Sequence, residues 1–440
     1  MRIGQIVIDV APLQESRDFR WLFTGRLAST VGNALTTAAA NWQVYGLTHS
    51  SLAVGLVSLA DSAGMLVGLL AGGVLADHHD RRKLLTVVRV PQAVLAALLT
   101  ANSLLTRPAL WPIYVITLAM GLSAGLSAPA SSAAMPALVG PGRLAPAAAL
   151  NSMSGQLANL GGPALAGALI AGPGLPVCYG LDALGFAVFG LALRFVRPLP
   201  PAPGGQRPGL RSLAEGFRYV RRSSVIGGML LIDTNAMIFG MPAGLFPALA
   251  SEHFHGGPAT FGLLTAAPAF GALVGAAASG WTGHLRRPGL VVIGAGILWG
   301  AAIVGFGLSD SLALGLAFLA LAGMSDLISE VLRNALLQHY TPDQLRGRVS
   351  SLYLAQVTSA PALGNTEAGA VAQLFSLTTS VVTGGLACVG GALLLGALIP
   401  AVRHAMLRPA SQGLGAGPGA GAATGDDAAP EESSSPGVPA

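Results

Sequence analysis

Long apolar runs of about twenty to thirty residues recur along the whole chain, separated by short segments where Arg, Asp, Pro and Gly collect. A run of about 20 apolar residues matches the hydrocarbon thickness of a bilayer. On that measure the chain holds twelve spans, at 22–46, 52–76, 84–105, 110–138, 146–170, 176–196, 225–250, 259–283, 288–308, 311–338, 349–373 and 377–402. None has the strict alternation of a barrel strand, and a backbone in lipid must satisfy its own polar groups, so all twelve are predicted as helices. Pro129, Pro136, Pro163, Pro242, Pro268 and Pro361 fall inside spans, where neighbouring helices can satisfy the freed carbonyls.

The connecting segments fix an orientation. With a cytoplasmic N-terminus, the inner loops hold Arg81, Arg82 and Lys83, Arg143, Arg194 through Arg222, Arg286 and Arg287, Arg346 and Arg348, and Arg403 and Arg408. The outer loops hold only Arg107. Basic residues retained on the inner side predict a multi-pass protein of a bacterial-type cytoplasmic membrane with both termini in the cytoplasm. The expected organisation is an N-terminal segment 1–21, a six-helix bundle 22–196, a central loop 197–224, a second bundle 225–402 and a disordered tail 403–440 rich in Gly, Ala, Pro and Ser. The central loop opens Pro-rich and continues as a basic stretch, Arg211 to Arg222, expected to lie as an amphipathic helix on the anionic leaflet. Its two sides echo each other: Gly73 to Asp77 with Arg81 and Arg82 is answered by Gly280 to His284 with Arg286 and Arg287, and Pro141-Gly-Arg-Leu144 by Pro342-Asp-Gln-Leu345. Such near-constant offsets suggest duplicated halves.

Composition narrows the class. The 440 residues are 52% hydrophobic and only 10% charged, too little charge to cover a water-soluble particle of this size. The net charge of +5 has no clustered basic face of the kind that grips nucleic acid, so no nucleic-acid partner is expected. Lysine occurs once, at Lys83 after Arg82, which removes a Walker phosphate loop. Cys178 and Cys388 are isolated and read as packing residues. Asp9 interrupts the apolar run after Arg2, so no signal peptide is read there. Gly121-Leu-Ser123-Ala-Gly125 fits a hydrolase pattern, but that nucleophile needs a strand-to-helix elbow and this one lies in an apolar helix. Its glycines, with Gly64, Gly68 and Gly72, read as small-residue surfaces on which helices slide and rock. No catalytic set, metal site or cofactor is expected.

The most specific local pattern is Gly73-Val-Leu-Ala-Asp77-His-His-Asp80-Arg81-Arg82-Lys83, between the second and third spans. Asp77 can bond amides at a neighbouring helix N-terminus while Arg81 and Arg82 engage carboxylates or lipid phosphates, which would hold one face shut. This loop resembles the signature of the major facilitator superfamily, keeping Gly73, Asp77, Arg81 and Arg82 and departing where Asp80 replaces a second Gly. Phe19-Arg20, Gly162-Pro163-Ala-Leu-Ala-Gly167, Arg211-Ser-Leu-Ala-Glu-Gly-Phe217, Thr341-Pro-Asp-Gln-Leu-Arg-Gly347-Arg348 and Ala355-Gln-Val-Thr358 are similar to strings of its siderophore-exporting branch, over roughly residues 15–405. The resemblance implies twelve helices in two pseudo-symmetric bundles around a central cavity. It also implies a conformational gate at Gly73, Asp77, Arg81 and Arg82. The antiporter pattern is incomplete: Ala158 and Ala166 stand where it has Gly, and no Arg lies near Gly121, so the usual proton route is in doubt.

An ionised carboxylate mid-bilayer costs about 2.5–3.5 kcal/mol, which makes every acid inside a span a functional candidate. These are Asp61, Asp233, Asp326, Glu330 and Glu367. Asp326 and Glu330 share one face of the tenth span with Arg333, a set that can either exchange a proton or pin helices as a static cluster. Asp61 has Arg26 as a candidate partner across helices. Asp182 is explained by the helix dipole at the start of its span. For a substrate, Asn33, Gln43, Tyr353 and Gln356 are candidate cavity residues, and Arg beside aromatic rings suits an aromatic, partly anionic ligand such as a catecholate. Trp42 and Tyr45 lie near the outer end of their span and fit an aromatic belt better than the cavity. The expectation is a monomeric secondary exporter, coupled to the proton gradient, of a siderophore or similar amphipathic molecule. A broad drug or macrolide efflux pump, and a non-transporting sensor or scaffold, are the alternatives.

Overall fold

The computed structural model describes residues 9–200, 210–278, 285 and 287–406, apart from the side chains of Asp77, Pro141 and 210–213. Arg403 ends a short helix, Pro400–Arg403, and residues 404–406 follow it without regular structure; the rest of the expected tail, with Arg408, lies outside the described residues, as do Gly280 to His284 and Arg286. Helices α1 (Arg17–Thr48), α2 (Ser51–His78), α3 (Arg81–Ser103), α4 (Trp111–Leu138), α5 (Leu144–Ala171) and α6 (Leu175–Ala192) pack together. A linker helix, Leu210–Arg222, leads to α7 (Ser224–Phe239), α8 (Pro258–Ala278), α9 (Pro288–Gly307), α10 (Leu312–Tyr340), α11 (Arg346–Leu374) and α12 (Leu377–Leu398). The two groups join along α2 against α11 and α5 against α8, a swapped pairing that reflects the repeat.

Among the described residues nine helices are both long and apolar enough to cross a membrane. The three long helices outside that set are α1, α5 and α11, whose faces carry Asn33, Asn41, Gln156, Asn159 and Thr358 into the interior. Their lower hydropathy has a physical cause: each turns several polar side chains into the cavity.

Close backbone contact welds α2 to α4. A methyl placed on Gly121 would stand 2.0 Å from the Asp61 carbonyl oxygen, and one on Gly64 2.1 Å from that of Leu118. Both helices belong to one bundle, so this small-residue surface fixes a contact rather than providing the sliding surface expected from sequence. In α7 the helix stops at Phe239 ahead of Pro242; the Trp299 indole N–H donates to the Gly240 carbonyl at 2.7 Å and the Asn365 amide oxygen accepts from Gly244 N–H at 2.9 Å. The backbone groups freed by the break are thereby satisfied inside the protein. Cys178 and Cys388 are both free and fully buried.

The linker helix lies against the second bundle, where Glu215 pairs with Arg348 at 2.7 Å and the Tyr219 hydroxyl donates to the Tyr340 carbonyl at 2.7 Å. Arg218, Arg221 and Arg222 remain exposed. Arg211 lies among residues whose side chains are not described.

Candidate functional site

A polar cavity runs through the centre in three lobes, of about 560, 500 and 190 Å³, and Asn33 of α1 lines all three. The largest lobe belongs to the first bundle. Arg26 of α1 and Arg89 of α3 face it together with Asn151 of α5 and Phe186 of α6. Arg89 was not anticipated from sequence, although it sits inside the third span. Its guanidinium donates to Gln92 Oε1 at 2.7 Å and Ser127 Oγ at 3.3 Å and lies 4.5 Å over the Phe189 ring. Counting charges within spans by depth, rather than by loop side, would have found it.

Asp182 was misjudged from its position near a helix start. It stands two turns inside α6, fully buried, and a Cβ on Gly32 would come within 2.6 Å of its Oδ1. It is part of the α1–α6 contact, and dipole stabilisation at a first turn does not apply there.

The second lobe carries the opposite charge. Asp326 and Glu330 of α10 line it, facing Asn33, Asn41 and Gln156 of the first bundle. Behind them, fully inside the second bundle, Arg333 pairs with Asp233 of α7 at 2.8 Å and reaches Asp326 at 3.8 Å. Ser329 Oγ accepts from Arg333 at 2.6 Å, and the Gln356 amide of α11 donates to Asp233 Oδ2 at 2.9 Å. The expected trio of Asp326, Glu330 and Arg333 is therefore rearranged: Arg333 turns away from the cavity to Asp233, and Glu330 is exposed with no ion pair to Arg333 among the described residues.

Other candidates fall outside these clusters. Gln356 serves Asp233 rather than the cavity, and Tyr353 packs near Arg333 and lines a pocket with Asn334 and Arg346 at the basic end. Gln43 is buried on the side of α1 that meets α6, where its Oε1 accepts from the Tyr179 hydroxyl at 2.7 Å. Asp61 opens onto the smallest lobe, and no ion pair joins it to Arg26 among the described residues. Glu367 is half-buried on α11, eleven residues beyond Gln356 and so about 16 Å further along the helix.

In the loop between α2 and α3 the Arg side chains have other partners than the carboxylates or lipid phosphates expected. Arg81 donates to the Ala133 carbonyl at 3.3 Å and Arg82 to the Arg194 carbonyl at 3.1 Å, so these cations meet the C-terminal ends of α4 and α6 rather than carboxylates. Asp80, the residue that breaks the loop pattern, accepts from Lys83 N–H and from Leu199 N–H, each at 3.0 Å. Gly73 and Asp77 lie in the last turns of α2; the Asp77 side chain is outside the described residues.

Closure between the bundles sits at the face opposite the basic loops. Tyr45 donates to Glu252, Asn365 to Ser58 Oγ at 3.3 Å, and Ser62 to the Thr358 carbonyl at 3.0 Å. Trp42 stacks obliquely on Phe261, 5.5 Å between ring centres, so this end of α1 is part of the closure rather than a lipid-facing belt. In the half nearer the basic loops no hydrogen bond crosses between bundles among the described residues.

Comparison with known proteins adds ancestry to this geometry. Residues 8–412 match a family model described as transmembrane secretion effector. The chain is 35% identical over 398 residues to the enterobactin exporter EntS of Citrobacter koseri, covering 90% of this chain and 95% of that one. It is 34% identical to the protein of the same name from Shigella boydii, over 89% and 93% of the two chains. Among solved structures, a POT family transporter in complex with 5-aminolevulinic acid superposes with a TM-score of 0.71 at 14% identity, covering 88% of this chain and 97% of that one. A bacterial homologue of the lysosomal transporter Spinster, inward-facing and unoccupied, gives 0.69 at 15% identity, over 91% and 100%. The two structures establish a shared fold.

Proposed function

Because the chain belongs to the transmembrane secretion effector family of the major facilitator superfamily, we propose that this multi-pass membrane transporter exports a siderophore or a similar amphipathic, partly anionic molecule by proton-driven antiport. The observation that carries the reading is the charge division of the central cavity. Arg26 and Arg89 line the lobe in the first bundle, and Asp326 and Glu330 line the lobe in the second. A cationic wall with an aromatic ring suits an aromatic oxyanion. An acidic wall facing the same space suits a proton carrier. The relatives named as enterobactin exporters support this cargo class.

The location of the contacts supports alternating access. With the basic loops in the cytoplasm, the closure through Tyr45 and Glu252 faces outward and the lobe at Arg26 opens inward. Cargo enters from the cytoplasm, and protonation of Asp326 or Glu330 from outside resets the carrier. The protein works as a monomer and needs no cofactor beyond the gradient. Secretion of an iron chelator from cells with and without the gene, with and without a protonophore, tests the proposal. Loss of secretion on deletion and on uncoupling is expected. Normal chelator secretion accompanied by accumulation of lipophilic dyes would replace it with broad drug efflux.

A further inference from the structure

We propose that Arg26 and Arg89 form an oxyanion subsite that receives a carboxylate or phenolate of the cargo, with Phe186 beside it for the attached aromatic ring. The inference rests on the export reading above and names the part of the cavity that recognises the charge. Arg89 is 9% exposed, yet the groups that hold it are neutral: Gln92, Ser127 and the faces of Phe186 and Phe189, at 5.8 and 4.5 Å. Its Nε has no hydrogen-bond partner, and it lines the lobe with Arg26, whose charge it feels. Neither Arg has an acid within ion-pair distance among the described residues. The contrast with Arg333, neutralised by Asp233 at 2.8 Å, is sharp.

Two like charges facing one cavity repel each other and keep donors unused. An oxyanion between them removes the repulsion and accepts those donors. Asp182, on the same face of α6 as Phe186 and Phe189, is the acid whose charge reaches Arg89, but it packs under Gly32 and does not line the lobe. Gln92 and Ser127 set the orientation of Arg89, and so act as positioning residues.

The test uses the full chain in lipid nanodiscs and compares salicylate with its neutral isostere salicylamide by calorimetry at constant ionic strength. Wild type is expected to favour salicylate by at least tenfold. Arg26→Gln and Arg89→Gln should each cut that preference at least fivefold, Arg89→Lys should retain part of it, and Arg107→Gln on the opposite face should leave it intact. Equal affinity for the two compounds in wild type, or a preference that survives both Gln variants, would overturn the subsite. Should Arg89→Gln fail to fold, Arg26→Gln alone decides, since Arg26 is only half-buried. A salicylate preference in a protein whose deletion leaves chelator secretion unchanged would sink the export reading and keep the subsite.

Discussion

The phenol of Tyr45, near the end of α1, donates a hydrogen bond to the carboxylate of Glu252, in the short segment that follows the break in α7. Tyr45 is 5% exposed and the His49 ring packs edge-on to it, 5.8 Å between centres, so the donor is held ready. This contact ties the first helices of the two bundles at the closed face. Tyr45→Phe removes the bond and keeps the ring, which at about 1 kcal/mol corresponds to about a fivefold shift toward the outward-open form. A cysteine at Thr37, on the cavity wall, reports the shift through labelling by an impermeant maleimide added from outside; Cys178 and Cys388 are buried and contribute little background. Glu252→Gln should act in the same direction, and the double variant should add little. Labelling unchanged in both variants would remove the latch.

Asp80 does two jobs at the basic face: its Oδ1 caps α3 and its Oδ2 holds the Leu199 amide at the start of the linker. Loss of an N-cap side chain costs about 1–2 kcal/mol. Asp80→Ala should therefore speed hydrogen exchange at Lys83 and Leu199 and lower the melting temperature, while Asp80→Asn, which keeps a capping oxygen, should recover most of the loss. Equal protection in Ala and wild type would leave the two bonds without energetic weight.

These two cases mark what the chain discloses on reading. Span positions, the polar lining of α1 and the family resemblance follow from hydropathy and local strings, because helix length and lipid contact are properties of consecutive residues. Asn33, Asp326 and Glu330 were legible as cavity groups for the same reason, lying on polar stripes of otherwise apolar helices. Which charges pair was not legible. Arg333 has Asp326 seven residues away on its own helix but turns to Asp233, one hundred residues earlier, and nothing local signals that choice. Arg89 was overlooked, and Asp182 was set down to the helix dipole at the start of its span; both gain their meaning from α3 packing on α6 and α6 on α1.

The Arg333–Asp233 pair gives a stability prediction. Both side chains are almost completely buried, and removing one partner strands the other charge at a cost of about 3–5 kcal/mol. Asp233→Asn should lower the melting temperature in detergent markedly, and Arg333→Gln should do the same. The double variant Asp233→Asn with Arg333→Gln should be more stable than either single one. Additive losses in the double variant would mean that the two groups act separately.

Asp326 differs from Asp233 in what surrounds it, and the difference makes Asp326 the better candidate for proton coupling. Its side chain is 34% exposed and lines the cavity lobe, while Arg333 stands 3.8 Å away and is already neutralised at 2.8 Å by Asp233. Asp326 can thus gain or lose a proton from cavity water without stranding Arg333. Glu330, one turn on, is exposed and lines the same lobe. Asp326→Asn and Glu330→Gln should fold normally and still exchange cargo between the two sides of a liposome. Accumulation driven by a pH gradient should fall at least tenfold. Comparing counterflow with gradient-driven uptake in the same vesicles separates the two activities. Uphill accumulation at the wild-type rate in both variants would return the acids to a structural role and place the proton elsewhere.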